Sequence, residues 1–151
     1  MIRLVRTNSE NSDFIQLVAK LDKDLALRDG EEHDFYHQFN KIDSLKQVLI
    51  VFENEKALSC GALKPLDENH SEIKRMYTIE EARGKGLASK VLKELEIWSK
   101  ELGFTACRLE TGIRQPEAIS LYQKNGYSLI PNYGQYKNIE NSKCFEKELA
   151  F

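Results

Sequence analysis

The sequence predicts an α/β protein with a mixed central sheet and helices on both faces. Two apolar repeats at helical spacing carry much of this reading: Phe14, Leu17, Val18, Leu21 and Leu25, then Leu87, Val91, Leu92, Leu95, Trp98 and Leu102. Between and after them lie β-prone runs bounded by turn residues, and strand, helix and strand recur toward the C-terminus. At 151 residues the chain suits one domain over 1–151, large enough to bury a single core.

Ile2 to Thr7 is a short strand, and the polar cluster Asn8 to Ser12 caps a first helix that stops at Asp29-Gly30. Phe35, Phe39 and Ile42 give a second, short helix between Glu31 and Ser44. Val48 to Phe52 is a continuous apolar run, and Glu53 to Lys56 turns it into a strand over Ala57 to Leu63. After Pro65 to Asn69, alternation over Glu72 to Ile79 predicts a fourth strand. Its two faces would carry Ile73, Tyr77 and Ile79 on one side and Glu72, Lys74, Met76 and Thr78 on the other. The long amphipathic helix follows and ends at Gly103. Phe104 to Glu110 is a strand, Pro116 to Lys124 a helix stopped by Asn125-Gly126, and Tyr127 to Ile130 a strand. Pro131 to Tyr136 is a loop, and Cys144 to Leu149 closes the chain as a strand.

Composition narrows the function classes. With 22 Lys and Arg against 24 Asp and Glu, the net charge of −2 gives no global field for nucleic acid or anionic lipid. No run approaches the ~20 apolar residues of a membrane span, and the N-terminus has no secretory apolar region. Three cysteines, Cys60, Cys107 and Cys144, without a CxxC pair argue against a disulfide framework and for a reducing, cytoplasmic setting. His33 and His37 stand four apart in a near-HExxH pattern, but Asp34 replaces the glutamate and no third ligand is in view, so no metal is expected.

The strongest chemical signal is the junction Thr78 to Ser89, where a strand passes through Arg83-Gly84-Lys85-Gly86 into a helix. The first N–H groups of a helix lack internal partners and its dipole favours an anion there. The glycines let a ligand approach, and Arg83 and Lys85 add charge. Taken by spacing alone, the same residues also make a plain basic helix cap. There is no GxxxxGK[ST], and Gly84 to Ser89 lacks the third glycine of GxGxxG.

The hexapeptide Arg83-Gly84-Lys85-Gly86-Leu87-Ala88 resembles the acetyl-CoA pyrophosphate loop of the GNAT N-acetyltransferases, [QR]-x-x-G-x-[GA]. Ala118-Ile119-Ser120-Leu121-Tyr122-Gln123-Lys124-Asn125-Gly126-Tyr127 is similar to that family's A-x-x-L-Y-x-K-x-G-[FY] signature. The resemblance covers most of the chain and implies a mostly antiparallel sheet with a splayed central strand. It implies acetyl-CoA as co-substrate, with no metal, bound by the pyrophosphate loop from Arg83 through Gly84, Lys85, Gly86, Leu87 and Ala88 to Ser89. Met76, Tyr77 and Thr78 inherit the strand that pairs with pantetheine amides. Gln115 stands where the family often has a pantetheine-binding asparagine, and offers the same amide at longer reach.

Acetyl transfer to an amine needs a neutral nucleophile, a polarised carbonyl and a proton for the departing thiolate. By resemblance, Tyr122 is the general acid. On spacing alone a tyrosine here, on one helical face with Ala118 and Leu121, is usually a core residue with a satisfied hydroxyl. Glu72, four residues before Met76 and so expected on its face, matches a position where some members keep a general base. A solvated strand-end glutamate is the plain alternative, and Glu110 and a water chain are held in reserve. The expected activity is N-acetylation of a small-molecule primary amine, with a homodimer left open. The rivals are a non-catalytic acyl-CoA sensor and a nucleotide-binding protein.

Overall fold

The computed structural model describes residues 1–29 and 44–150. Along them run β1 (Ile2–Thr7), α1 (Ser12–Asp29), β2 (Gln47–Glu53), β3 (Lys56–Pro65) and β4 (His70–Thr78). There follow α2 (Leu87–Glu101), β5 (Ala106–Gly112), α3 (Pro116–Lys124), β6 (Ser128–Ile130) and β7 (Ser142–Glu148). The short helix expected from Glu31, with His33 and His37, falls outside the described residues. Among the described residues no helix is long and apolar enough to cross a membrane.

Seven strands form one sheet in the order β1-β2-β3-β4-β5-β7-β6, and every neighbouring pair is antiparallel except β4 with β5. Val48 to Phe52 of β2 are buried at every position. A strand reads as an unbroken apolar run when both faces are covered, and α1 and α2 both pack on the β2–β4 region. Asn11 starts α1: its Oδ1 accepts the N–H groups of Asp13 at 2.9 Å and Phe14 at 3.2 Å. β5 begins two residues later than the sequence suggests, because the Thr105 N–H is bonded to the Asn69 carbonyl at the turn into the sheet.

Two irregularities in β4 position the site. The first is its parallel pairing with β5, which extends only over His70–Ala106, Ser71–Cys107 and Glu72–Arg108. Beyond Glu72 the strands part, leaving the β5-side edge of β4 unmatched. The second is a bulge: Tyr77 faces Cys60 and Lys74 faces Ala62, so Arg75 and Met76 together oppose Gly61. Arg75 sits at φ 59, in the left-handed region.

This bulge corrects the expected alternation of the strand. Ser71 reaches α2 through a 2.6 Å contact with Ser99 Oγ, so its neighbour Glu72 turns away from α2. Met76 instead packs over Gly61 beside Val91 and Leu95 of α2. Glu72 and Met76 therefore point to opposite faces, because the extra residue at the bulge inverts the alternation between them.

Gly61 is required by that packing. A Cβ there would lie 2.6 Å from Met76 Sδ, 2.7 Å from Val91 Cγ1 and 2.9 Å from Leu95 Cδ1. Gly61→Ala should destabilise the fold by about 1–3 kcal/mol, the usual cost of overpacking, read as a lower urea midpoint with an unchanged slope.

Candidate active site

The chain leaves β4 at Thr78, passes through a 3-10 turn at Glu80–Ala82 and an extended Arg83, and enters α2 through two left-handed glycines. Gly84 has φ 81 and Gly86, at the helix N-cap, φ 78. Side chains are strained in that region, and a Cβ on either glycine would meet nothing within 4 Å. The loop thus needs glycine for its backbone and leaves the space above it open. No side chain caps α2, and its first turn has no acidic residue. Amide donors, helix dipole and access coincide, which suits a diphosphate.

Arg83 is held at the mouth of this loop. Its Nε donates to the Thr78 carbonyl at 2.9 Å, its guanidinium lies 5.6 Å from the Tyr77 ring centroid, and Nη2 is 3.8 Å from Asp24 Oδ2 on α1. Eleven of the residues singled out in the sequence line one groove: Met76, Tyr77, Thr78, Arg83, Gly84, Gly86, Leu87, Ala88, Ser89, Gln115 and Tyr122. Lys85, between the glycines, is exposed and outside the lining. The groove follows the unmatched edge of β4 from the loop toward α3. At its far end Asn125 ties α3 to α2, donating to Ser89 Oγ at 3.2 Å and the Leu121 carbonyl at 2.8 Å.

A second, inner pocket opens from the groove between the parted strands. Leu21, Met76, Gln115 and Tyr122 belong to both walls. Lys74, Arg75, Glu110, Thr111 and Tyr136 line only the inner one. Tyr122 therefore stands where the two spaces meet. It is 7% exposed, packed edge-on to Tyr127 at 6.0 Å and tilted against Phe145 at 6.4 Å. Burial first, and the charge of Glu110 second, push its phenol up, so the protonated form is the one favoured.

The two carboxylates considered from sequence are placed differently. Glu72 is 2% exposed; its Oε2 accepts the Tyr133 hydroxyl at 2.6 Å, and Oε1 lies 3.8 Å from Lys74 Nζ and 3.9 Å from Lys64 Nζ. It is absent from the pocket lining. Glu110 is on that lining, with Oε2 accepting from Ser142 Oγ at 2.6 Å. Sequence reasoning missed Leu21 and Asp24, because α1 presents them to the groove by tertiary packing alone. Leu21 gave a signal only as part of an apolar stripe, which is equally the mark of a core helix.

Comparison with known proteins agrees with this geometry. A sequence model of the Acetyltransferase (GNAT) family matches residues 14–127. An IAA acetyltransferase of Azospirillum brasilense is 26% identical over 150 residues, 98% of each chain. A crystal structure from Klebsiella pneumoniae, described as an acyl-CoA N-acyltransferase, superposes with a TM-score of 0.82 at 28% identity, over 99% of both chains. A GNAT acetyltransferase from Elizabethkingia anophelis, solved with acetyl-CoA bound, shares the fold at 17% identity, with a TM-score of 0.69 over 98% of each chain.

The family match over residues 14–127, on a sheet parted beside a glycine-entered helix, places the protein in the class of acyl-CoA-dependent acetyltransferases. The chain belongs to the GNAT family.

Proposed function

We propose that this chain moves an acetyl group from acetyl-CoA to the nitrogen of a small-molecule primary amine. The observation that carries this reading is the uncapped, doubly left-handed glycine entry to α2 sharing one groove with Tyr122. Residues Arg83 to Ser89 hold the diphosphate, and the unmatched edge of β4 from Met76 to Thr78 pairs with the pantetheine amides. Gln115, on both walls, offers its amide near the thioester. The Elizabethkingia protein, with acetyl-CoA bound in the same fold, supports this choice of donor.

The acceptor enters the inner pocket. Glu110 takes the proton of its ammonium group, a role that suits its pocket wall better than the enclosed position of Glu72 among Tyr133, Lys64 and Lys74. Glu72 instead fixes those three side chains. As the acceptor C–N bond forms and the thioester C–S bond breaks, Tyr122 gives its phenol proton to the sulfur, the nitrogen's last surplus proton passes through water to restore the phenol, and Glu110 returns its proton to solvent. The backbone N–H at Met76, on the parted edge, polarises the thioester carbonyl. Amide and thiol are the products, with one proton released to solvent.

A thiol-release screen with acetyl-, propionyl- and succinyl-CoA over a panel of amines tests the proposal, with IAA, which the name of the Azospirillum relative carries, assayed beside the amines. Binding without turnover would favour a sensor. The protein's own thiols should not interfere: burial pushes Cys60 up to about 12 and Cys144 up to about 11, and raises Cys107 as well. With all three buried, the native chain should give no reaction with a thiol dye near neutral pH and three thiols per chain after unfolding.

A further inference from the structure

The wall of the inner pocket carries two chemically different groups. One is the carboxylate of Glu110, braced by Ser142. The other is the ammonium of Lys74, whose side chain is 9% exposed. Its Nζ donates to the Tyr136 hydroxyl oxygen at 3.2 Å and lies 3.8 Å from Glu72 Oε1. An ammonium can only donate, so the Tyr136 oxygen is the acceptor in this bond and its own O–H is directed away from Lys74. Tyr136, like Lys74, is part of the pocket wall.

Charge around Lys74 is unevenly distributed. Glu72 Oε1 is shared between Lys74 and Lys64, while its other oxygen takes the Tyr133 hydroxyl. Two ammonium groups, of Lys74 and Lys64, thus share one carboxylate oxygen. Lys64 is 44% exposed and solvated, whereas Lys74 is enclosed. Arg75, next along the bulge, pairs with Asp22 at 3.1 Å and adds no net charge to the wall. Burial also holds the Lys74 ammonium below its ordinary range, outweighing the attraction of Glu72 and Glu110. A desolvated cation on a pocket wall is stabilised when an anion enters and accepts its hydrogen bonds.

Resting on the acetyltransferase reading above, we propose that the acceptor is an amino-carboxylic acid. Its amine meets Glu110, and its carboxylate meets the Lys74 ammonium and the Tyr136 hydroxyl.

Matched triplets test the proposal: an amino acid, its carboxamide, and the amine lacking the carboxyl group, each assayed for thiol release with acetyl-CoA. The amide's amine is the less basic, so ease of deprotonation alone would favour it over the acid. The expected result is the reverse, with the acid preferred about tenfold to a hundredfold in kcat/KM. Lys74→Met should collapse that preference, chiefly by raising KM for the acids, and Lys74→Arg should restore part of it. The comparison within the unaltered protein stands even if a variant fails to fold.

Neutral members served as well as the acids, or acids inert while acetyl-CoA still binds by calorimetry, would overturn the acceptor assignment and leave the transferase reading intact. Failure of acetyl-CoA itself to bind would remove that reading, and the acceptor assignment with it.

Discussion

Tyr122→Phe should lower kcat by about 10²–10⁴-fold, the usual contribution of a positioned general acid, while KM for acetyl-CoA moves little. The variant keeps the ring that packs on Tyr127 and Phe145 and removes only the oxygen at the junction of groove and pocket. A merely structural tyrosine in the same place would show loss of stability with turnover retained. The pH profile adds a second check. A phenol whose pKa is raised stays protonated above the ordinary tyrosine value of about 10, so the acid is present below its raised pKa and lost only above it. The unaltered enzyme should therefore show no alkaline decline from this group up to pH ~10. Tyr122→Phe with full turnover across pH would reject the assignment.

Gly86→Asp should abolish acetyl-CoA binding, weakening it at least about 100-fold, without unfolding the protein. Aspartate tolerates the left-handed backbone better than most residues, and a carboxylate at a helix N-terminus is favoured by the dipole. The Cβ has open space, so the fold loses little. What changes is the ligand's side of the loop, where a negative charge and a side chain now stand where a diphosphate would rest. Thermal unfolding should give a melting temperature within a few degrees of the parent. The contrast between retained fold and lost binding separates a ligand loop from a plain helix cap.

Much of this site was legible in the sequence because it is written in local chemistry. Gly84 and Gly86 announce positive φ, Leu87 to Leu102 carry a helical stripe, and Pro116 to Lys124 are bounded by Gln115 and Asn125 as the structure has them. The fate of Glu72 was not legible. Even spacing to Met76 predicts a shared face, and only the pairing of two β4 residues with Gly61 reverses it. Arg75 is not glycine, and nothing in its immediate neighbours signals a left-handed backbone. The loop from Pro131 to Tyr136 reads equally as a wall of the pocket and as a turn with packed tyrosines, and its spacing does not show that Tyr133 closes on Glu72 while Tyr136 reaches Lys74 and the pocket. Long-range contacts of that kind come from the return of the chain from β6 to β7, which spacing does not encode.

Calorimetric titration of acetyl-CoA into the unaltered protein and into Gly86→Asp bears most directly on the role of the glycine loop. The parent should bind at one saturable site in the range of about 1 μM to 1 mM, with ATP and NAD failing to displace the thioester, and Gly86→Asp should give no binding heat. No heat from the parent, or the same isotherm from both proteins, would contradict it.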